Sequence, residues 1–134
     1  MKHLLLENNY TFDDIAKIWS RPQYQGIAYS DGDETENRIG QIIKNAKDVS
    51  VMSDELRLQC VDWPTHYYLN KNRVNLLRHF TEQLKNANVL EIGAGCGAIT
   101  RFLGECQANV FALEGSKRRA SIARQRCRDL PNVE

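Results

Sequence analysis

The sequence predicts an α/β fold built on a parallel sheet, from three observations. Val89-Leu90-Glu91-Ile92 reads as a short buried strand, Gly93, Gly95 and Gly97 alternate through a tight turn, and Ile99, Phe102, Leu103 and Cys106 then recur at helical spacing. A second apolar run from Asn109 to Leu113 precedes another helical pattern, and Val133 reads as the first residue of a third strand. Strands separated by helices pair in parallel through right-handed crossovers.

Composition sets the bounds on the chain. Its 134 residues are 42% hydrophobic and 26% charged, the balance of one ordinary globular unit with a core of its own. No apolar run approaches the roughly 20 residues of a membrane-spanning helix, and Glu7 interrupts Met1 to Leu6 too early for a signal peptide, so a cytoplasmic location is expected. Cys60, Cys96, Cys106 and Cys127 are far apart without a Cys-x-x-Cys pair, which points to reduced thiols rather than a metal site or a disulfide framework.

In chain order, His3 to Leu6 reads as a short strand or extended arm. Thr11 or Asp13 starts a helix carrying Phe12, Ile15, Ala16, Ile18 and Trp19, and Arg21-Pro22 ends it. Residues 22–33, with Gly26 and Ser30-Asp31-Gly32-Asp33, are rich in turn formers and read as a loop. From Glu34, the residues Ile39, Ile42, Ile43 and Ala46 lie on one face of an amphipathic helix. Ser53 followed by Asp54-Glu55 has the form of an N-cap with acids in the first turn, opening a helix to about Val61. Asp62-Trp63-Pro64 breaks the pattern and divides the chain into an N-terminal helical region, 1–61, and a second part, 62–134. A helix is expected from Lys71 to Lys85 with Val74, Leu77 or Leu76, Phe80 and Leu84 inward. The last helix is expected over 116–129, ended by Pro131.

The turn carries the chemistry. Glycine there takes positive φ and lets a ligand sit against main-chain amides, while the next helix offers unpaired N–H groups and the positive end of its dipole. A nucleotide-like cofactor suits such a turn better than the bare alternative of a sharp strand-to-helix corner. Glu114 ends the second strand, 19 residues after Gly95, where a parallel neighbour places its tip beside the turn and a carboxylate can accept both hydroxyls of a ribose. Glu91 is a charge inside an apolar strand and needs a partner. Net charge changes sign along the chain: residues 1–65 carry −4 and residues 66–134 carry +5. Six bases from Lys117 to Arg128 lack interleaved aromatics, so they read as a solvated helix face rather than a nucleic-acid patch.

The run Leu90-Glu91-Ile92-Gly93-Ala94-Gly95-Cys96-Gly97, with Glu114 at the next strand's tip, resembles the first two motifs of class I S-adenosylmethionine-dependent methyltransferases. The match is specific over residues 88–115. It implies a Rossmann-like fold, here truncated after the second or third strand and preceded by the helical region, with S-adenosylmethionine as cofactor. It implies that Gly93, Ala94, Gly95 and Cys96 hold the methionine part, Glu91 orients it, and Glu114 with Gly115 takes the ribose. Tyr68 and Arg73 lie where they could reach the cofactor's carboxylate, and no catalytic residue is assigned. Trp63-Pro64, Tyr29-Ser30-Asp31-Gly32-Asp33 and Asp129-Leu130-Pro131-Asn132-Val133-Glu134 are more faintly similar to bacterial methyltransferases associated with glycosyltransferases and surface polysaccharide. That branch implies a glycan or small-molecule acceptor, and with no aromatics among the bases of 117–128, nucleic acid is not the expected partner.

Two alternatives are weaker. A nicotinamide dehydrogenase would use Gly93-x-Gly95-x-x-Ala98 and Glu114, but Glu91 would repel a pyrophosphate and Gly97 would be superfluous. A non-catalytic interaction module would use residues 34–61 as a docking surface, and the open edge of an incomplete sheet predicts self-association.

Overall fold

The computed structural model describes residues 2–27 and 30–134; Tyr29, named in the polysaccharide-branch comparison, lies outside them. Two segments that the sequence reads as an arm and a helix fold differently. Lys2–Glu7 is a helix, α1, with Leu5 buried, and the following turn is closed by the Tyr10 amide donating to the Leu5 carbonyl at 2.9 Å. Thr11–Asp13 (β1) and Ile18–Ser20 (β2) form an antiparallel hairpin instead of the expected helix. The cause is local. Asp13 Oδ1 accepts the amides of Ile15 and Ala16, which turns the chain, and Lys17 takes φ 55°. Phe12 and Trp19 then face each other across the strands with ring centroids 5.1 Å apart, while Ile15 stands 97% exposed at the tip.

Asp33–Asn45 (α2) follows the predicted amphipathic pattern, with Asp33, Glu34 and Glu36 in its first turn and Ile39 and Ile43 fully buried. Asp54–Leu58 (α3) begins at the predicted cap: the Ser53 side chain accepts the Leu56 amide at 3.1 Å. Asp62-Trp63-Pro64, read as a break, is a helix start. Asp62 and Thr65 form a capping box that opens Trp63–Leu69 (α4), with Pro64 in the first turn where a missing N–H is harmless.

The long helix expected after Lys71 is broken into the 3-10 turns Lys71–Val74 and Arg78–Phe80 and the short Thr81–Leu84 (α5). Asn70 accepts the Asn72 amide, and i→i+3 bonds from Asn75 and Leu77 tighten the chain. Its expected apolar stripe therefore divides. Val74 is buried, whereas Leu76 and Phe80 are exposed.

From Asn88 onward the element order follows the sequence reading, but the first strand is not the buried one expected: Val89 packs against the core on one face, while Leu90 and Ile92 alternate to the other face and are exposed. Asn88–Ile92 (β3), Ala98–Glu105 (α6), Asn109–Leu113 (β4) and Lys117–Arg126 (α7) form a βαβα unit, with α7 ending three residues before the expected Asp129. β3 and β4 are parallel with Asn88 opposite Asn109 and Ile92 opposite Leu113. The expected third strand begins at Val133, which bridges Val110 in parallel; the Glu134 amide donates to Val110 and the Ala112 amide to Glu134. Thus β4 is central, and its tip is level with that of β3.

Two apolar clusters hold these pieces. Val110, Phe102, Leu103, Cys127 and Val133 pack between sheet and helices, joined by Val51 and Val74 from earlier in the chain. Ile39, Ile43, Leu56, Tyr68 and Leu69 form the second cluster together with Cys96 and Ile122. Both clusters therefore draw residues from both sides of position 61, and the second includes Cys96 of the glycine turn. No described helix is long and apolar enough to cross a membrane.

Candidate functional site

The strand register assembles the site. Because Ile92 is opposite Leu113, the chain leaving β3 meets the chain leaving β4, and the Leu113 carbonyl accepts the amides of Gly93 (2.8 Å) and Ala94 (3.0 Å). Gly93, Gly95 and Gly97 have φ of 83°, 56° and 81°, a region that side-chain-bearing residues enter only at a cost. They nevertheless serve two purposes. A Cβ added at Gly93 or Gly95 would meet nothing within 4 Å, so both face open space. One at Gly97 would sit 2.8 Å from the Ala123 Cα, so Gly97 is what lets α7 lie against the turn.

Glu114 links the turn to the next helix. Its Oε2 accepts the Gly95 amide at 2.7 Å and its Oε1 accepts the Ser116 amide at 2.8 Å, just before Ser116 caps α7. Each carboxylate oxygen keeps a lone pair for a further donor. Glu91 has the partner that its position demanded: the Thr100 hydroxyl, in the first full turn of α6, donates to Oε2 at 2.6 Å. Burial, followed by the like charge of Glu114, pushes the Glu91 carboxyl above its usual range despite that bond.

Ala94 and Cys96 are buried, so they offer a ligand main chain rather than side chain. The Cys96 thiol is pushed up to about 12 by desolvation and by Glu36, which makes it an inert core group. Gly115 is covered from the N-terminal side. A Cβ there would lie 2.9 Å from Ile27 Cγ2.

A polar layer over the turn was not foreseen as part of the site. Tyr68 donates its hydroxyl to Asp31, and burial followed by that bond drives its phenol upward. Glu36, almost fully buried, accepts Arg119 Nε at 3.1 Å, Ser30 Oγ at 3.1 Å and Arg118 at 3.4 Å. Arg118 also holds Asp33 at 2.5 Å, and Lys117 holds Asp13 at 3.1 Å. The signal for this layer was the charge reversal along the chain, since acids of the first half pair with bases of α7. The reading of Lys117 to Arg128 as a solvated face is corrected accordingly. Arg119 and Arg126 are buried, Arg126 gives Nη1 to the Tyr68 carbonyl at 2.5 Å with its pKa lowered to about 10 by desolvation, and Arg128 binds the carbonyls of Ile43 and Ala46. Of the two residues considered for a cofactor carboxylate, Tyr68 lies in the core cluster of Cys96, whereas Arg73 stacks over the Tyr67 ring.

The parallel strand tips thus hold two glycines that face open space beside an acid bonded to the turn, an arrangement that suits a nucleotide-like ligand. The relatives are methyltransferases by name. The chain is similar to ribosomal RNA small subunit methyltransferase A of Streptococcus gordonii, 49% identical over 49 residues, which are 37% of this chain and 17% of that protein. The same-named protein of a Streptococcus thermophilus strain is 36% identical over 69 residues, 52% of this chain and 24% of the relative. That of Streptococcus equi subsp. zooepidemicus is 46% identical over 50 residues, 37% of this chain and 17% of the relative. The chain thus spans about a fifth of the length of the curated relatives it matches. No family model and no solved structure matches it.

These similarities support an S-adenosylmethionine-dependent methyltransferase family and, with it, a Rossmann-like fold. They do not support the polysaccharide-associated branch. They also overturn the expectation of a glycan or small-molecule acceptor and of no role for nucleic acid, because the relatives are by name ribosomal RNA methyltransferases.

Proposed function

We propose that the chain carries the first part of the cofactor site of an S-adenosylmethionine-dependent methyltransferase whose acceptor is RNA. The observation that carries this reading is the Gly95–Glu114 pairing at 2.7 Å beside two glycines whose missing side chains leave open space. S-adenosylmethionine fits that cradle: a group lying against main-chain amides needs Gly93 and Gly95 bare, and a ribose needs a fixed carboxylate with lone pairs to spare.

In this reading Gly93, Ala94, Gly95 and Cys96 hold the methionine part through their backbone. Glu114 accepts the ribose hydroxyls, with Gly115 at its side, and Glu91 stiffens the turn through Thr100. The bound cofactor supplies an electrophilic methyl group on a sulfonium, so the protein's contribution is chiefly position and exclusion of water. Residues 1–61 act as a layer over the cofactor-binding part, 62–134, tied down by the ion pairs onto α7. The ribosomal RNA acceptor is carried over from the names of the relatives and is supported by the methyltransferase matches rather than by any residue of the turn.

Calorimetric titration with S-adenosylmethionine and S-adenosylhomocysteine, with NAD and NADP as controls, tests the reading. Both sulfur ligands should bind, and Glu114→Ala should weaken them by about tenfold or more, the size of a lost bond to a charged acceptor. Binding of NAD or NADP instead would replace this function with the dehydrogenase alternative.

A further inference from the structure

One face of α4 combines features that its own packing does not use. Trp63, the first residue of α4, is 66% exposed, and its indole stacks on Tyr67 one turn later, with centroids 5.0 Å apart and planes 18° apart. The Arg73 guanidinium lies over the same Tyr67 ring, 4.1 Å from its centroid. Tyr67 meets Tyr68 edge-on at 5.0 Å, and Tyr68 shares the core cluster of Cys96 in the glycine turn. The exposed stack is therefore one aromatic ring away from the residues that back the candidate cofactor site.

The segment that carries this face is basic. Between Asp62 and Glu82 the sequence holds Lys71, Arg73, Arg78 and two histidines but no acid. All three cations are exposed, and among the described residues none of them forms an ion pair with a carboxylate. On α6, α7 and the turn that follows, the arginines are engaged internally: Arg101, Arg118 and Arg119 with acids, Arg124, Arg126 and Arg128 with carbonyls. Arg73 thus brings to the aromatic stack a positive charge with no carboxylate partner among the described residues, and Lys71 and Arg78 follow in the same segment.

Aromatic rings with a stacked guanidinium bind the π-face of an unpaired base, and neighbouring cations neutralise the phosphates on either side. An apolar protein partner would have no use for a guanidinium stacked on the exposed ring. We propose that the Trp63–Tyr67–Arg73 face is a stacking platform for an unpaired nucleobase of single-stranded RNA, with Lys71 and Arg78 on the flanking phosphates. This rests on the RNA-methyltransferase reading and supplies the place where its acceptor strand docks.

The test is fluorescence anisotropy of a short labelled oligoadenylate, beside an RNA duplex of the same length, with calorimetry of S-adenosylhomocysteine on the same preparations. Wild-type protein should bind the single strand more tightly than the duplex. Trp63→Ala should weaken single-strand binding by about tenfold, the scale of one lost base stack, while Trp63→Phe retains most of it. Lys71→Ala should lower the slope of log K against log salt by about one. The cofactor isotherm should be the same in all variants, since Trp63 is exposed and lies outside the turn. Unchanged RNA affinity in Trp63→Ala, equal affinity for the duplex, or no single-strand binding would overturn the platform. The two readings fail separately: a Trp63-dependent RNA isotherm without cofactor binding sinks the methyltransferase reading alone, and cofactor binding with Trp63-independent RNA affinity sinks the platform alone.

Discussion

The turn at Gly93 to Gly97 and the layer from Asp31 to Asn45 meet at one place but are held there by different forces. The turn is held by main chain. The Leu113 carbonyl takes two of its amides, the Glu114 carboxylate a third, and Gly97 lets a neighbouring helix approach to contact distance. The layer is held by buried side chains, with Ile39 and Ile43 in the core and Glu36 paired to Arg119. A main-chain frame presents the same amides whatever side chains surround it. The layer, by contrast, depends on a few charged groups being present together.

The largest effect should come from breaking the layer. Glu36→Ala breaks a buried ion pair with Arg119 and removes the acceptor of Arg118 and Ser30 as well, and should cost about 3–5 kcal/mol, read as a lower urea midpoint. A loss under about 1 kcal/mol would mean that the layer is held by its apolar face alone.

The glycines sharpen the comparison within the turn. Gly97→Ala drives a methyl against the Ala123 backbone and should cost about 3 kcal/mol or more, whereas Gly95→Ala bears only its conformational strain, about 1–2 kcal/mol. Cofactor affinity should rank the other way among folded variants, with Gly95→Ala losing most because its methyl enters the open space. Equal losses of stability would remove the distinction between packing glycine and cradle glycine.

The smallest effect is a pH dependence at Glu91. Burial and Glu114 raise its pKa in the folded state above the ordinary 4.5, so the native protein holds that proton more tightly than the unfolded chain. Its contribution is favourable below the unfolded value and is lost as pH rises through the folded one. Glu91→Gln, whose carbonyl can still accept from Thr100, should therefore raise the melting temperature at neutral pH and leave it nearly unchanged in acid below the carboxylate range. The opposite order would show that the charge itself is stabilising.

The same contrast explains what could be read in advance. From Asn88 to Glu134 the elements follow from periodicity and glycine placement, because each strand and helix there satisfies its own backbone in a regular pattern. Before that, side chains compete with the backbone. Asp13 bonds two amides and turns an expected helix into a hairpin, Thr65 and Asp62 make a helix start of an expected break, and Asn70 helps fragment the segment after Lys71. At the site, Glu91, Glu114 and the glycines were legible as residue types at fixed spacing. Glu36, Arg119 and Asp31 were not, because their pairing spans 83 positions in the case of Arg119 and Glu36 and only the charge reversal along the chain pointed to it.

The central claim is that Gly93 and Gly95 are bare so that a cofactor can lie on their amides. It is tested most directly by following backbone amide resonances while S-adenosylhomocysteine is added. The account predicts large shifts at Gly93, Gly95 and Glu114, with Gly104, whose Cα is packed beneath Leu130 and Val133, left unmoved. Saturation that moves the exposed sheet residues Leu90 and Ile92 but leaves Gly93 and Gly95 in place would contradict it.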